Sequence, residues 1–164
     1  MEDLRIRPAT AGDLDAINAI YNHYVTRSTC TYQTELETAD ARAKWFAEHG
    51  PEHPVIVAVE KGEVVAWASL SPVHSRCAYR HTVEDSIYVR HDARGRGIGS
   101  RLLLTLIERA RYLGHHTIVA HISADQDASV ALHRKHGFAE MGRLREVGLK
   151  FDRWLDVVYM QLML

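Results

Sequence analysis

The run Thr82–Val89, rich in β-branched and aromatic residues, leads through a short connection into Arg94-Gly-Arg-Gly-Ile-Gly99. That loop opens a strongly amphipathic stretch. No other segment restricts the fold of this chain so tightly. Ile98, Leu102, Leu103, Leu106, Ile107, Ala110 and Leu113 recur at the helical period, form one apolar face and end at Gly114. A strand that hands over to a helix through alternating glycines can bring several backbone N–H groups to one point, because glycine has no side chain to hold a ligand off. The helix N-terminus adds roughly half a positive charge there, so the junction suits a phosphate or pyrophosphate. Arg94, Arg96 and Arg101 surround it with mobile positive charge. Two familiar phosphate loops do not fit the letters. A P-loop ends in Gly-Lys-Ser/Thr, whereas this loop ends Gly99-Ser100-Arg101; the dinucleotide pattern needs glycine where Ser100 stands, and this strand comes too late in the chain for it.

The flanking sequence supplies the rest of a single domain spanning residues 1–164. Leu4–Arg7 is a short strand ending at Pro8. Thr10 with Asp13 signals a helix start, and Leu14, Ile17, Ile20, Tyr21 and Tyr24 then keep the helical period. Thr38 opens a second helix that runs through Trp45 and Phe46 and stops at Gly50-Pro51. Val55–Val59 and Val64–Leu70 read as strands joined by a tight turn at Glu60-Lys61-Gly62-Glu63. Beyond the glycine loop and its helix come a strand over Thr117–Ile122 and a helix over Asp127–His136 closed by Gly137. Terminal strands over Phe138–Leu144 and Trp154–Leu164 follow, with Gly148 and Asp152-Arg153 in the turns between them. The order β-α-α-β-β-β-α-β-α-β-β predicts an α/β fold with a mixed, partly antiparallel sheet and helices on both faces, and argues against a fully parallel doubly wound sheet.

Composition narrows the function. Of 164 residues, 46% are apolar and 25% charged, and 20 Lys and Arg against 21 Asp and Glu give a net charge of -1. That balance provides no global basic field for nucleic acid or an anionic membrane surface. The start, Met1 to Pro8, is charged and has no apolar core of a signal peptide, and the longest apolar runs are too short to span a bilayer. Cys30 and Cys77 stand alone, which suits a reducing compartment, so a cytoplasmic protein is expected. Eleven histidines invite a metal, but none falls in an HExxH or Cys/His zinc pattern, and no metal is expected.

The pattern Arg94-x-x-Gly97-x-Gly99 after a strand, followed by a further strand and by Leu132-His-Arg-Lys-His-Gly-Phe138, resembles the acyl-CoA pyrophosphate loop and second cofactor motif of the GNAT acetyltransferase superfamily. Three further segments, Thr82–Val89, Ala128–His133 and Val147–Asp156, resemble its phosphinothricin and methionine sulfoximine N-acetyltransferase branch, over nearly the whole chain. The resemblance implies the GNAT acyl-CoA N-acyltransferase fold, whose central parallel strands splay to admit the pantetheine arm, and acetyl-CoA as co-substrate. It also implies a homodimer, since members of the branch often dimerise.

It further implies roles at particular positions. Acetyl transfer to an amine needs a base for an ammonium group of pKa about 7.7–8, a donor for the developing oxyanion, and a proton for the departing thiolate. Glu84 matches the branch's proposed base, acting through water. In a regular strand it shares a face with Ser86 and Tyr88, a parity that a bulge would change, and Asp85 is the local competitor. The backbone of Ile87, Tyr88 and Val89 matches the cofactor-facing edge, with the Val89 N–H as oxyanion donor. The loop residues Arg94, Gly95, Arg96, Gly97, Ile98, Gly99 and Ser100 match the phosphate cradle. His133 stands where many relatives carry a tyrosine that protonates the thiolate, and either catalysis or cofactor contact fits an imidazole. Gln126 and Ser129 occupy an Asn-x-x-Ser pattern that contacts pantetheine, with glutamine in place of asparagine. Tyr32, Arg76, Tyr79 and Tyr88 form the expected acceptor shell, Arg76 offering a fork for a carboxylate or phosphinate. The expected activity is therefore acetyl transfer from acetyl-CoA to a small amino-acid-like amine. Alternatives are another small amine or a protein N-terminus as acceptor, and a CoA-binding sensor without turnover.

Overall fold

The computed structural model describes residues 4–164; Met1–Asp3, part of the start that bears on the signal-peptide reading, lie outside the described residues. Seven strands, β1 (Arg5–Pro8), β2 (Val55–Glu60), β3 (Glu63–Pro72), β4 (Thr82–Val89), β5 (Thr117–Ser123), β6 (Ala139–Lys150) and β7 (Arg153–Met163), form one sheet in the order β1-β2-β3-β4-β5-β7-β6. Among the described residues only β4 and β5 run parallel. The crossover between them carries α3 (Ile98–Tyr112), and the other helices are α1 (Leu14–Val25), α2 (Ala39–Glu48) and α4 (Asp127–Lys135).

The burial of β2 explains the layering. Val55, Ile56, Val57 and Ala58 are all buried, because alternate side chains enter different cores. Ile56 and Ala58 join Leu102, Leu103 and Leu106 of α3, while Val55 and Val57 join Ile17 and Ile20 of α1 and Trp67 of β3. Helices thus cover both faces, as the element order predicts. Each fully buried Leu or Ile contributes roughly 1.5–3 kcal/mol through removal from water.

Local chemistry fixes the ends. The Thr38 hydroxyl accepts the Ala41 N–H at 3.1 Å and starts α2. Asp13 closes a capping box with Thr10 and takes both terminal nitrogens of Arg7 at 2.7 and 2.8 Å. The β2–β3 hairpin turns on Lys61 and Gly62 at φ 51° and 84°, the left-handed pair such a two-residue turn requires.

The last hairpin departs from the sequence reading. Gly148 is not in a turn: it lies inside β6 opposite Leu155, after a register shift between Leu144 and Gly148. A Cβ at 148 would sit 2.6 Å from Tyr32 Cε2, so this glycine serves a close approach. The turn between β6 and β7 falls one residue earlier than Asp152-Arg153, on Phe151 and Asp152 at φ 52° and 56°.

The feature that positions the site is a parting of strands. The β4–β5 ladder consists of Thr82–Thr117, Val83–Ile118 and Glu84–Val119 and stops there, although β4 continues to Val89 and β5 to Ser123. Against β3, β4 keeps an unbroken register, so no bulge disturbs its parity. Tyr88 stacks on Trp67 on the α1 face, and Asp85 meets His133 of α4 on the opposite face. Among the described residues no helix is long and apolar enough to cross a membrane.

Candidate active site

The parted strands enclose a cleft of about 530 Å³. Residues 84–89 of β4 form one wall and residues 120–123 of β5 the other; the glycine loop and the start of α3 close one end, α4 flanks it, and Tyr24, Ser28 and residues 30–32 cover it.

At the loop end, Gly95 and Gly97 take φ +75° and +77°, a region where a Cβ is disfavoured. Gly97 caps α3 without any side-chain bond, so the first N–H groups of the helix keep no partner within it and suit an anion. Arg94 lines the cleft. Arg96 does not: its guanidinium holds the Glu60 carboxylate, with Nη1 3.0 Å from Oε2. Arg101 reaches the Leu4 carbonyl at 3.2 Å. The Ser100 hydroxyl pairs with His136 Nε2 at 2.7 Å.

Along β4, the Arg90 N–H bonds Val65 O of β3 at 2.8 Å. Alternation then turns the peptide groups of Ile87 and Val89 to the side from which β5 has departed. The Tyr24 hydroxyl donates to the Val89 carbonyl. A pantetheine arm, which carries amide groups, fits such an edge as a substitute strand.

The opposite end holds Glu84. Its Oε1 lies 2.9 Å from His121 Nδ1 of β5, with about a third of each side chain exposed. Its pairing with Glu84 raises the His121 pKa against the lowering effect of burial. The His121 ring also packs on Tyr159 of β7 at 4.3 Å. Tyr32 shares its hydroxyl between Ser123 Oγ and Asp156 O, both at 2.9 Å, and burial pushes its phenol up. Tyr88 meets Trp67 at 4.8 Å and Tyr21 at 5.2 Å, and burial holds its phenol firmly protonated. Beside this aromatic group Arg42 is buried, its guanidinium 4.5 Å from the Trp45 ring and 4.8 Å from Tyr21.

A second carboxylate–imidazole pair lies on the other face of β4. His133 Nε2 is 2.9 Å from Asp85 Oδ2, and Nδ1 is 2.7 Å from Ser129 O. A carbonyl and an ionised carboxylate only accept, so both ring nitrogens carry protons and His133 is an imidazolium. Burial lowers its pKa, but the bond to Asp85, the charge of Asp85 and the Ser129 carbonyl outweigh that and raise it. Asp85 Oδ1 is buried without a partner among the described residues. Gln126 reaches Thr29 Oγ1 at 2.8 Å, while Ser129 lines the cleft.

The fold therefore gathers Glu84, Tyr88, Tyr32, His133, Ser129, Gln126 and most of the glycine loop round one space. It does not bring Arg76 and Tyr79 there. Arg76 is exposed, and Tyr79, 45% exposed, stacks on His74. Sequence reasoning missed His121; the available signal was a polar ring interrupting the apolar strand Thr117–Ile122. It also missed Lys150, a buried lysine whose Nζ donates to Ser28 O and Thr31 O, both at 2.7 Å, and ties down the segment over the cleft. Among the described residues no three His, Cys, Asp or Glu side chains group closely enough to hold a metal.

Comparison with known proteins agrees with this geometry. An L-methionine sulfoximine/L-methionine sulfone acetyltransferase of Pseudomonas paraeruginosa is 44% identical over 159 residues, covering 96% of this chain and 92% of that one. An L-amino acid N-acyltransferase of Escherichia coli is 41% identical over 98% of this chain and 94% of its own length. A phosphinothricin acetyltransferase of Sinorhizobium meliloti, crystallised in complex with AcCoA, superposes with a TM-score of 0.96 at 38% identity, over 99% of this chain and 89% of that one. The acetyltransferase (GNAT) family itself matches residues 17–138. With this family match, these full-length relatives and the parted β4–β5 wedge, the chain belongs to the GNAT acetyltransferases.

Proposed function

We propose that the protein transfers the acetyl group of acetyl-CoA to the amine of a small amino-acid-like acceptor of the phosphinothricin or methionine sulfoximine type. The observation that carries this reading is the cleft itself, with a glycine cradle at one end and Glu84 at the other. The residues present suit acetyl-CoA. Uncapped N–H groups at Gly97 and the start of α3 suit the pyrophosphate, and the edge at Ile87 and Val89 suits the pantetheine amides. Bound acetyl-CoA supplies an activated thioester.

The Val89 N–H, aimed into the cleft by strand alternation, is the donor for the oxyanion that develops on the thioester carbonyl. The Glu84 carboxylate drives removal of the acceptor's proton, so that the free amine can attack the carbonyl carbon as the C–S bond breaks. His133, protonated and held by Asp85, supports the thiolate side with its positive charge. Tyr32 and Tyr88 line the same cleft, which supports their assignment to the acceptor, and Arg76 and Arg96 keep their assignments as acceptor and phosphate contacts only if their side chains reorient on binding. Exposed Val147, Leu149, Phe151 and Trp154 on the β6–β7 hairpin support a homodimer through that apolar surface, and two free cysteines support a reducing, cytoplasmic setting.

The test is thiol release from acetyl-CoA, with mass spectrometry of the product, across phosphinothricin, methionine sulfoximine, simple alkylamines, polyamines and an alanine-initiated peptide. Turnover confined to the amino-acid analogues supports the reading. Preference for polyamines would leave the acetyltransferase intact and remove this acceptor class, and no turnover with any amine would favour a CoA-binding sensor.

A further inference from the structure

Glu84 faces the acceptor end in company. The partner is His121, contributed by the neighbouring strand two residues beyond the point where the β4–β5 ladder ends. The contact between Oε1 and Nδ1 at 2.9 Å turns the Nδ1 edge of the ring to the carboxylate. An ionised carboxylate has no proton to give, so the hydrogen lies on Nδ1. In the neutral ring the lone pair is then on Nε2. Among the described residues no hydrogen bond engages Nε2, and His121 forms part of the cleft wall with its side chain 30% exposed. Tyr159, at 4.3 Å and 60° to the ring, fixes the ring plane. A carboxylate on Nδ1–H with Nε2 open is the arrangement in which a histidine acts as a general base.

The pair on the other face of β4 is a control within the same molecule. His133 spends Nε2 on Asp85 and Nδ1 on Ser129 O, so it has no open nitrogen. Two carboxylate–imidazole pairs flank the cleft, and only one of them can receive a proton.

We propose that His121, oriented by Glu84, takes the proton from the acceptor's ammonium group, so that Glu84 works through it. The inference rests on the acetyltransferase reading above and refines its base. The balance closes: the ammonium N–H bond breaks and Nε2–H forms, the free amine bonds to the acetyl carbon, the C–S bond breaks, and the thiolate keeps that electron pair and takes up the second proton leaving the amine nitrogen, becoming the thiol. His121 returns its own proton to water through its exposed edge. Brønsted matching favours this assignment, because an imidazole lies within about one or two pKa units of an α-ammonium group whereas an ordinary carboxylate lies three or more below. The groups that face His121 are Glu84 of β4 and the ring of Tyr159 on β7; Asp85, on the other face of β4, adds its charge, and both carboxylates raise the His121 pKa. Activity should accordingly fall as pH drops through a His121 pKa that lies above the ordinary imidazole value.

Wild-type turnover is measured first, and its absence would end the acetyltransferase reading independently of His121. Given turnover, the acid limb of the wild-type kcat/KM profile should coincide with the His121 titration followed by NMR; a mismatch overturns the proposal and needs no variant. His121→Asn keeps an N–H for Glu84 but has no basic nitrogen. It should lose about 10²-fold or more in kcat/KM near pH 7 and lose the acid limb, with CoA affinity and Tm unchanged. Glu84→Gln should instead shift both the acid limb and the His121 titration to lower pH. If His121→Asn keeps its acid limb and near-normal kcat/KM while Glu84→Gln abolishes the limb, Glu84 is the base and the proposal fails.

Discussion

Gly97 stands at φ +77° with open space where a Cβ would go, whereas Gly148 has ordinary backbone angles and Tyr32 at 2.6 Å from that point. The same residue type answers two different constraints, so the two substitutions should fail differently. In Gly97→Val the added Cβ meets no neighbour, but the residue strains the cap by roughly 1–2 kcal/mol and displaces the N–H groups aimed at the phosphates. CoA affinity by calorimetry should drop at least about tenfold, with Tm lowered by only a few degrees. Gly148→Ala drives the Tyr32 ring from its bonds to Ser123 and Asp156, costing about 1–3 kcal/mol by overpacking. It should raise the acceptor KM while CoA affinity stays near normal. Residues differ just as sharply in how legible they were. The glycine loop is read from adjacent letters. The Glu84–His121 and Lys150–Thr31 contacts join positions far apart in the chain, and nothing in the local sequence marks such partners. Arg76 and Tyr79 came from resemblance alone, and they lie on an exposed segment outside the cleft wall.

Elements with strong periodicity or a named cap read correctly: β4, α3, the Thr38 start of α2 and the Lys61-Gly62 hairpin. The last hairpin did not, because glycine marks a turn and a close approach with the same letter, and the turn that does form uses Phe151 and Asp152. The entry to α1 makes a quantitative prediction. The Arg7 guanidinium, opposed by burial and helped by Thr10, holds the Asp13 carboxyl down at about 2, from an ordinary 3.8. A folded-state pKa below the unfolded one stabilises the protein above the unfolded value and is lost as pH falls through the folded one. Asp13 should therefore contribute about 2 kcal/mol at neutral pH, fading between roughly pH 4 and pH 2. Denaturant titrations should show Asp13→Asn clearly weaker than wild type at pH 6 and nearly equal to it at pH 2.

At the scale of the whole molecule, the sheet carries its apolar excess at one edge. Leu144, Val147, Leu149, Phe151 and Trp154 are 46–61% exposed, on strands that end the order β5-β7-β6. If this edge is the dimer surface proposed above, a Trp154→Glu, Val147→Glu double variant should sediment as a monomer at concentrations where wild type is dimeric. Wild type sedimenting as a monomer at high concentration would remove the proposal.

The wedge between β4 and β5 has a consequence for the free protein's dynamics. Where the ladder ends at Glu84 and Val119, the amides of Ile87 and Val89 lie in the middle of a sheet yet lack the neighbour that would shield them from water. In the proposed complex the pantetheine arm takes the place of that missing neighbour. These two amides should exchange their hydrogen for deuterium quickly in the free protein and slow sharply once CoA is added, while Val83 on the paired side stays protected throughout. Saturating CoA at a hundred times its Kd should then add about 2.7 kcal/mol of stability, seen as a rise in Tm that tracks ligand concentration.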